Sequence, residues 1–328
     1  MKDAALQPLG GTGLRVSALG LGLAALGRPG YINLGHAADV GTDRRVEAME
    51  RRAHDVLDAA FQGGVRYFDA ARSYGRAEAF LASWLRSREF RPRDLTVGSK
   101  WGYRYTAGWS VNAEHHEIKE HSLEMLGGQW VETREQLGDF LDLYQIHSAT
   151  LESGVLDNKD VLAELSRLAD DGIVVGLTTS GADQIDIVRR ALDAEVDGVN
   201  PFRCVQATWN LLETSVGPAL AEAHEAGWGV IVKEAVGNGR LTDRGDAPSG
   251  LRGLAHESGV GVDALAIAAA MYQPWADVVL SGAATVDQLE SNLKAVEVAL
   301  SDAEIELLLG AAEDSEDYWN RRAELPWN

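Results

Sequence analysis

Eight short apolar runs alternate with eight segments of helical period along this chain, and that alternation constrains its fold more than any other feature. The runs lie at residues 18–21, 65–68, 95–98, 141–146, 174–177, 204–207, 229–232 and 278–280. They are too short for buried helices and read as strands covered on both faces. Segments 47–61, 78–86, 113–126, 159–169, 184–192, 218–226, 262–271 and 286–296 carry the apolar spacing of crossover helices. Eight strand-helix units in 328 residues predict an α/β protein, a (β/α)8 barrel. Residues 6–14, centred on Gly10-Gly11-Thr12-Gly13, predict an N-terminal β-hairpin plugging the barrel floor, and 302–311 predict an added C-terminal helix. No Pro-rich or low-complexity linker interrupts the rhythm, so residues 1–328 are expected to form a single domain.

In such a barrel, chemistry gathers at the carboxyl ends of the strands. Asp69, Lys100 and His147 stand at three consecutive strand ends, and Tyr74 lies in the loop beyond the first of them. A tyrosine is a weak acid near pH 7, so protonating a carbonyl oxygen with it calls for neighbours that favour phenolate. Lys100 supplies a positive charge, and Asp69 keeps that ammonium charged once it is buried. His147 can donate a hydrogen bond to a substrate oxygen and help pass the proton. The set delivers a proton and contains no obvious nucleophile, which suits hydride transfer by a bound cofactor. A metal-dependent hydrolase fits poorly, because only Asp69 and His147 are ligand candidates at strand ends and His115, His116 and His121 lack spaced acidic or Cys partners.

The net charge of −20 argues against nucleic acid or an anionic membrane as partner, since both reward basic surface. The single Cys204 cannot form an internal disulfide and sits in an apolar run, so a buried inert thiol in a reducing cytoplasm is expected. No signal peptide and no long apolar span is legible. Gly20-Leu-Gly22-Leu-Ala-Ala-Leu-Gly27 imitates a dinucleotide loop but has the wrong spacing, and Arg28-Pro29-Gly30 follows where a helix should open. These glycines are expected instead to bring backbone close to a ligand.

The stretches Gly64-Val-Arg-Tyr-Phe-Asp69-Ala-Ala-Arg-Ser-Tyr74-Gly-Arg-Ala-Glu78, Ser99-Lys100-Trp101 and Leu143-Tyr-Gln-Ile-His147 resemble the aldo-keto reductases, and the resemblance extends over nearly the whole chain. It implies a TIM barrel that holds an extended NADP(H) or NAD(H) without a Rossmann domain. It also implies Asp69, Tyr74, Lys100 and His147 as catalytic tetrad, with Tyr74 the general acid. Gln206 looks like the family's ligand to the nicotinamide carboxamide, and Thr178 and Thr179 stand in place of its Ser-Asn pair, with less bonding capacity. At the seventh strand end, where the family usually has an aromatic before Ser-Pro-Leu, this chain has Lys233-Glu234-Ala235-Val236. Lys233 is expected to cover the nicotinamide or approach a cofactor phosphate, the alternative being a solvent-facing pair with Glu234. Along Ser281-Gly282 to Asn292, Gly282, Gln288 and Asn292 are candidate cofactor contacts, Asn292 for adenine. The family's basic residues for an adenosine 2′-phosphate are replaced by Ala284 and Gln288, which weakens the case for NADPH over NADH unless Arg240 or Lys294 substitutes.

Trp101 and Trp209, with Tyr103, Tyr105, Trp109, Tyr318, Trp319 and Trp327, predict an aromatic-lined substrate pocket. Arg321-Arg322 is either a contact for an anionic substrate or a solvated pair. The expected activity is reduction of an aldehyde or ketone, or oxidation of the alcohol, by a monomer or homodimer. A cofactor-binding redox-sensing subunit with little turnover is the competing class.

Overall fold

The computed structural model describes residues 5–328. Its eight barrel strands are β1 (Leu19–Gly22), β2 (Tyr67–Asp69), β3 (Thr96–Trp101), β4 (Leu141–Ala149), β5 (Val174–Thr179), β6 (Cys204–Thr208), β7 (Gly229–Lys233) and β8 (Val278–Ser281). They pair in parallel in sequence order, and β8 closes on β1 through Val279–Leu19, Leu280–Gly20 and Ser281–Leu21. Around them lie α1 (Val46–Gln62), α2 (Ala77–Ser87), α3 (Leu123–Leu137), α4 (Lys159–Asp170), α5 (Gln184–Leu192), α6 (Gly217–Glu225), α7 (Val262–Met271) and α8 (Val286–Leu293). The architecture is the expected (β/α)8 TIM barrel.

The amino-terminal hairpin is short, pairing Gln7 with Val16 and Pro8 with Arg15. Leu9 and Val16 bury fully with Tyr67, Leu143, Cys204, Ile231 and Val278, and so stopper the barrel floor. Each such burial contributes roughly 1.5–3 kcal/mol. A Cβ at Gly10 would lie 2.4 Å from the Trp228 carbonyl carbon, so only glycine lets the turn press against the start of β7.

One helix differs from the sequence expectation of 113–126. There Glu117–Lys119 forms a strand against Tyr103–Tyr105, and the helix begins later, where the Ser122 hydroxyl accepts the Met125 amide at 3.1 Å. Alternation over Glu117-Ile118-Lys119 and a strong cap at Ser122 outweigh the apolar spacing that suggested an earlier start. Past the barrel, Asp302–Leu309 is the expected added helix, with a Ser301/Glu304 capping box. A second, Ser315–Ala323, was not expected, nor were His36–Val40 and Ser249–Ser258. No helix of the described residues is long and apolar enough to cross a membrane.

Candidate active site

Strand register delivers the polar residues to one end. Asp69 pairs with Gly22 on β1 and Gly98 on β3, Lys100 with Gln145 on β4, and Thr208 with Lys233. Between Ile146 and Ala149 the β4–β5 register shifts, and Ser148 takes a left-handed φ of 52°. Such a bulge re-aims the side chain beside it, here His147.

Asp69 is 1% exposed and collects four donors. Lys100 Nζ donates to one oxygen, while Tyr67 Oη (3.0 Å), Gln206 Nε2 (3.1 Å) and Gln145 Nε2 (3.5 Å) reach the other. Lys100 is fully buried, gives a second bond to the Ala70 carbonyl at 2.9 Å, and lies 4.7 Å from the Tyr74 ring centroid. Burial lowers the Lys100 pKa and the Asp69 carboxylate opposes that fall.

Tyr74 Oη lies 3.4 Å from His147 Nε2, and His147 Nδ1 lies 3.3 Å from Ser73 Oγ. If Ser73 donates to Nδ1, the proton of the neutral ring sits on Nε2, facing the phenol. Burial, then Lys100, Arg28 and Lys233, hold His147 well below the usual imidazole range, so the ring is neutral near pH 7. Burial and Asp69 push the Tyr74 phenol well above 10, with Glu117 and Glu234 adding to that and Arg28 opposing it. The expected draw of Lys100 toward phenolate is muted because Asp69 neutralises that ammonium; Tyr74 is a protonated donor.

A cavity of about 560 Å³ extends from Asp69, Tyr74 and His147 past Gln206 and Lys233 to Gly282, Gln288 and Asn292. Lys233 does not form the solvent-facing pair: its Nζ donates to Thr208 Oγ1 (2.6 Å) and Ser180 Oγ (3.2 Å), 3.9 Å from Glu234. Burial lowers its pKa to about 8. Glu234, at φ 57°, is gripped by Arg322 Nε and Nη2 at 2.8 and 2.5 Å, so of the two tail arginines one is locked in place, while Arg321 meets Glu313 at 3.1 Å.

Four predicted site residues turn away from this cavity. Thr178 and Thr179 are fully buried, Thr178 accepting the Ser148 amide at 2.7 Å and Thr179 donating to Gln184 at 3.1 Å; their neighbour Ser180 lines the cavity instead. Trp101 packs edge-on against His121 and Trp209 against Trp275, so neither forms the cavity wall. The aromatic lining comes from Tyr31, Tyr74 and Trp327. The three histidines do not meet: His116 stacks on Trp327 at 3.9 Å and His121 donates to the His147 carbonyl at 2.9 Å.

Residues the sequence reading did not single out complete the site. Arg28 is 3% exposed and donates from Nη1 to Glu117 Oε2 (2.9 Å) and the Ser73 carbonyl (3.2 Å). Only its position before Pro29 hinted at it, through the break it makes after the glycine-rich run. Ser73 was legible within the Arg-Ser-Tyr triplet.

The cavity accepts a nicotinamide dinucleotide by its chemistry. Gln206 and Ser180 line the cavity with hydrogen-bonding groups, Lys233 offers a cation that shares Glu234 with Arg322, and a Cβ at Gly282 would meet nothing within 4 Å, leaving the backbone open to a ligand. Farther along, Ser281 Oγ donates to Asn292 Oδ1 (2.7 Å), Asn292 Nδ2 to Asp263 (2.6 Å), and Gln288 Oε1 accepts the Ala284 amide (2.9 Å).

A parallel eightfold barrel with a polar cavity at the carboxyl ends of its strands defines a barrel protein of the kind that takes small molecules there. The sequence profile of the aldo/keto reductase family matches residues 18–313, and the chain belongs to that family. Among curated proteins it is 26% identical over 308 residues to L-galactose dehydrogenase of Arabidopsis thaliana, covering 89% of this chain and 88% of that one. It is 22% identical over 315 residues to norsolorinic acid reductase of Aspergillus flavus, covering 89% and 77%. Among solved structures, the holo form of aldo-keto reductase AKR11C1 from Bacillus halodurans has a TM-score of 0.71 at 21% identity, covering 95% of this chain and 98% of that chain, a likeness of fold. Membership makes this chain an NAD(P)H-dependent oxidoreductase of carbonyl compounds.

Proposed function

We propose that the cavity carries out hydride transfer between a nicotinamide cofactor and an aldehyde or ketone, with Tyr74 protonating the oxygen in reduction and accepting the proton back in oxidation. The observation that carries this reading is the Tyr74 hydroxyl beside His147 Nε2, above the buried Lys100–Asp69 pair. When bound, the cofactor supplies the hydride. His147 donates from Nε2 to the substrate oxygen and fixes where it sits. Lys100 keeps a cation 4.7 Å from the Tyr74 ring, and Asp69, which mutes its pull on the phenol, holds it charged and in place. One relative is named a dehydrogenase and another a reductase, which supports a transfer that runs both ways.

Gln206, Ser180 and Lys233 hold the cofactor at the reaction end, and Gly282, Gln288 and Asn292 at the other, with Thr178 and Thr179 fixing the end of β5. The cofactor is NADH in preference to NADPH. Arg244 lines the cavity, but both its Nη atoms meet Asp39 at 2.7 Å, and Asp263 and Asp287 line the end near α8. Arg240 is held by Glu313 and Asp246. A 2′-phosphate would meet carboxylates there, whereas a ribose hydroxyl can donate to them.

The test is titration of the protein with NADH and NADPH by cofactor fluorescence, followed by reduction of an activated aldehyde by wild type and Tyr74→Phe. Loss of turnover by roughly 10²–10⁴ with cofactor binding retained is expected of a lost general acid. Undiminished turnover in Tyr74→Phe would overturn its role.

A further inference from the structure

Ser73 stands directly before Tyr74 in the loop after β2, fully buried, with its hydroxyl 3.3 Å from His147 Nδ1. The backbone that carries it is pinned on both sides, because the Arg72 amide donates to the Lys100 carbonyl at 3.1 Å and the Tyr74 amide to the Ala71 carbonyl at 3.1 Å. Its own carbonyl accepts Arg28 Nη1 at 3.2 Å. The imidazole is confined too: Tyr103 packs edge-on against it with 4.9 Å between centroids, and the His147 carbonyl meets His121 Nε2 at 2.9 Å. On the cavity side, His147 Nε2 lies 3.4 Å from the Tyr74 hydroxyl. Among the described residues the Ser73 hydroxyl has no hydrogen-bond partner besides Nδ1.

A neutral imidazole has one N–H, so one ring nitrogen donates and the other accepts. Two proton arrangements fit these contacts. In the first, Ser73 donates to Nδ1, Nε2–H donates to the phenol oxygen, and the phenol proton is left pointing at the cavity. In the second, Nδ1–H donates to Ser73, and Tyr74 directs its own proton at Nε2. The second leaves the Ser73 hydroxyl proton buried with nothing to bond, and an unmade buried donor is more costly than an unused lone pair on the same oxygen. We propose that Ser73 is a positioning residue that fixes His147 as the Nε2–H tautomer, so that the Tyr74 proton stays directed at the substrate oxygen instead of being held by the imidazole. This deepens, and rests on, the hydride-transfer reading above, in which Nε2 donates to that same oxygen. Ser73 does not line the cavity and acts through His147 alone.

The experiment records a proton–nitrogen correlation spectrum of isotopically labelled histidine rings in wild type, Ser73→Ala and Ser73→Thr, with His147→Gln to assign the ring. Beside it, kcat and KM for p-nitrobenzaldehyde and NADH affinity by fluorescence are measured for wild type and both Ser73 variants. Wild type should show the His147 proton on Nε2 and a hydrogen-bonded acceptor at Nδ1. In Ser73→Ala the Nδ1 resonance should move downfield as its lone pair loses a donor, and kcat should fall roughly three- to tenfold, the range of one neutral hydrogen bond, with NADH affinity retained. Ser73→Thr keeps the hydroxyl and should restore both. A merely structural role would lower NADH affinity together with kcat and leave the Nδ1 resonance in place. A wild-type proton on Nδ1, an Nδ1 resonance unmoved in Ser73→Ala, unchanged kcat in that variant, or a folded Ser73→Thr that behaves like it overturns the positioning role alone. If Ser73→Ala fails to fold, the wild-type spectrum decides between the two tautomers. If NADH and NADPH both fail to bind wild type, the hydride-transfer reading falls and the positioning role with it.

Discussion

Asp69 does two electrostatic jobs with one carboxylate: it balances Lys100, and it fixes Tyr67, Gln206 and Gln145 around it. Asp69→Asn leaves the fully buried Lys100 without its counter-charge, and removing one partner of a buried pair costs about 3–5 kcal/mol; urea unfolding should show that loss. Tyr74 and His147 both stay in their neutral forms near pH 7, so the accessible titration belongs to Lys233, with a pKa of about 8. It is faced by Glu234 and Asp69, which favour its charge, and by Arg322 and Lys100, which oppose it. The ammonium is present below that pH and lost above it, so affinity for the anionic dinucleotide should fall as pH rises through about 8. Lys233→Met should flatten that dependence in a binding titration. The tetrad positions were legible because each ends or follows an apolar run; Trp101 turns from the cavity because side chains alternate across a strand, whereas Thr178, Thr179 and Trp209 are held by partners of their own, Ser148, Gln184 and Trp275. One residue decides which side is faced: Lys100 points to the site and Trp101 packs against His121.

The loops and end elements set the aim of those residues. The glycine-rich run after β1 approaches a neighbouring backbone rather than a ligand at Gly27, where a Cβ would lie 2.2 Å from the Tyr74 carbonyl oxygen and the Gly27 carbonyl accepts the Arg76 amide at 2.7 Å. Gly27→Ala must therefore displace the Tyr74 loop, and about a hundredfold loss of kcat is expected, since displacements near 1 Å have that effect. Steady-state kinetics beside an NADH titration would separate this from lost binding. The helix Ser315–Ala323 supplies Arg322, which holds Glu234 in its left-handed conformation just after Lys233. Tyr318, Trp319 and Arg321-Arg322 were legible as pocket or substrate candidates, but the grip of Arg322 on Glu234 was not, because that partner lies 88 positions away.

Across the whole molecule, charge is distributed unevenly. The chain carries −20 overall, yet the reaction end gathers Arg28, Lys100, Lys233 and Arg322 around Asp69, Glu117 and Glu234, while Asp263 and Asp287 occupy the end near α8. NADH should accordingly bind more tightly than NADPH; the ratio of their dissociation constants from fluorescence titration checks this, and Asp263→Asn should narrow it. By itself the sequence determined the eightfold strand-helix order, the floor hairpin and the strand-end placement of Asp69, Lys100 and His147, because apolar periodicity and chain order are local properties. Tertiary structure alone decided that Arg28 meets Glu117, that Arg322 grips Glu234 and that Ser180 rather than Thr178 or Thr179 faces the cavity. Those outcomes depend on barrel closure, strand register and the fold-back of the tail, which bring together residues that no spacing in the chain relates.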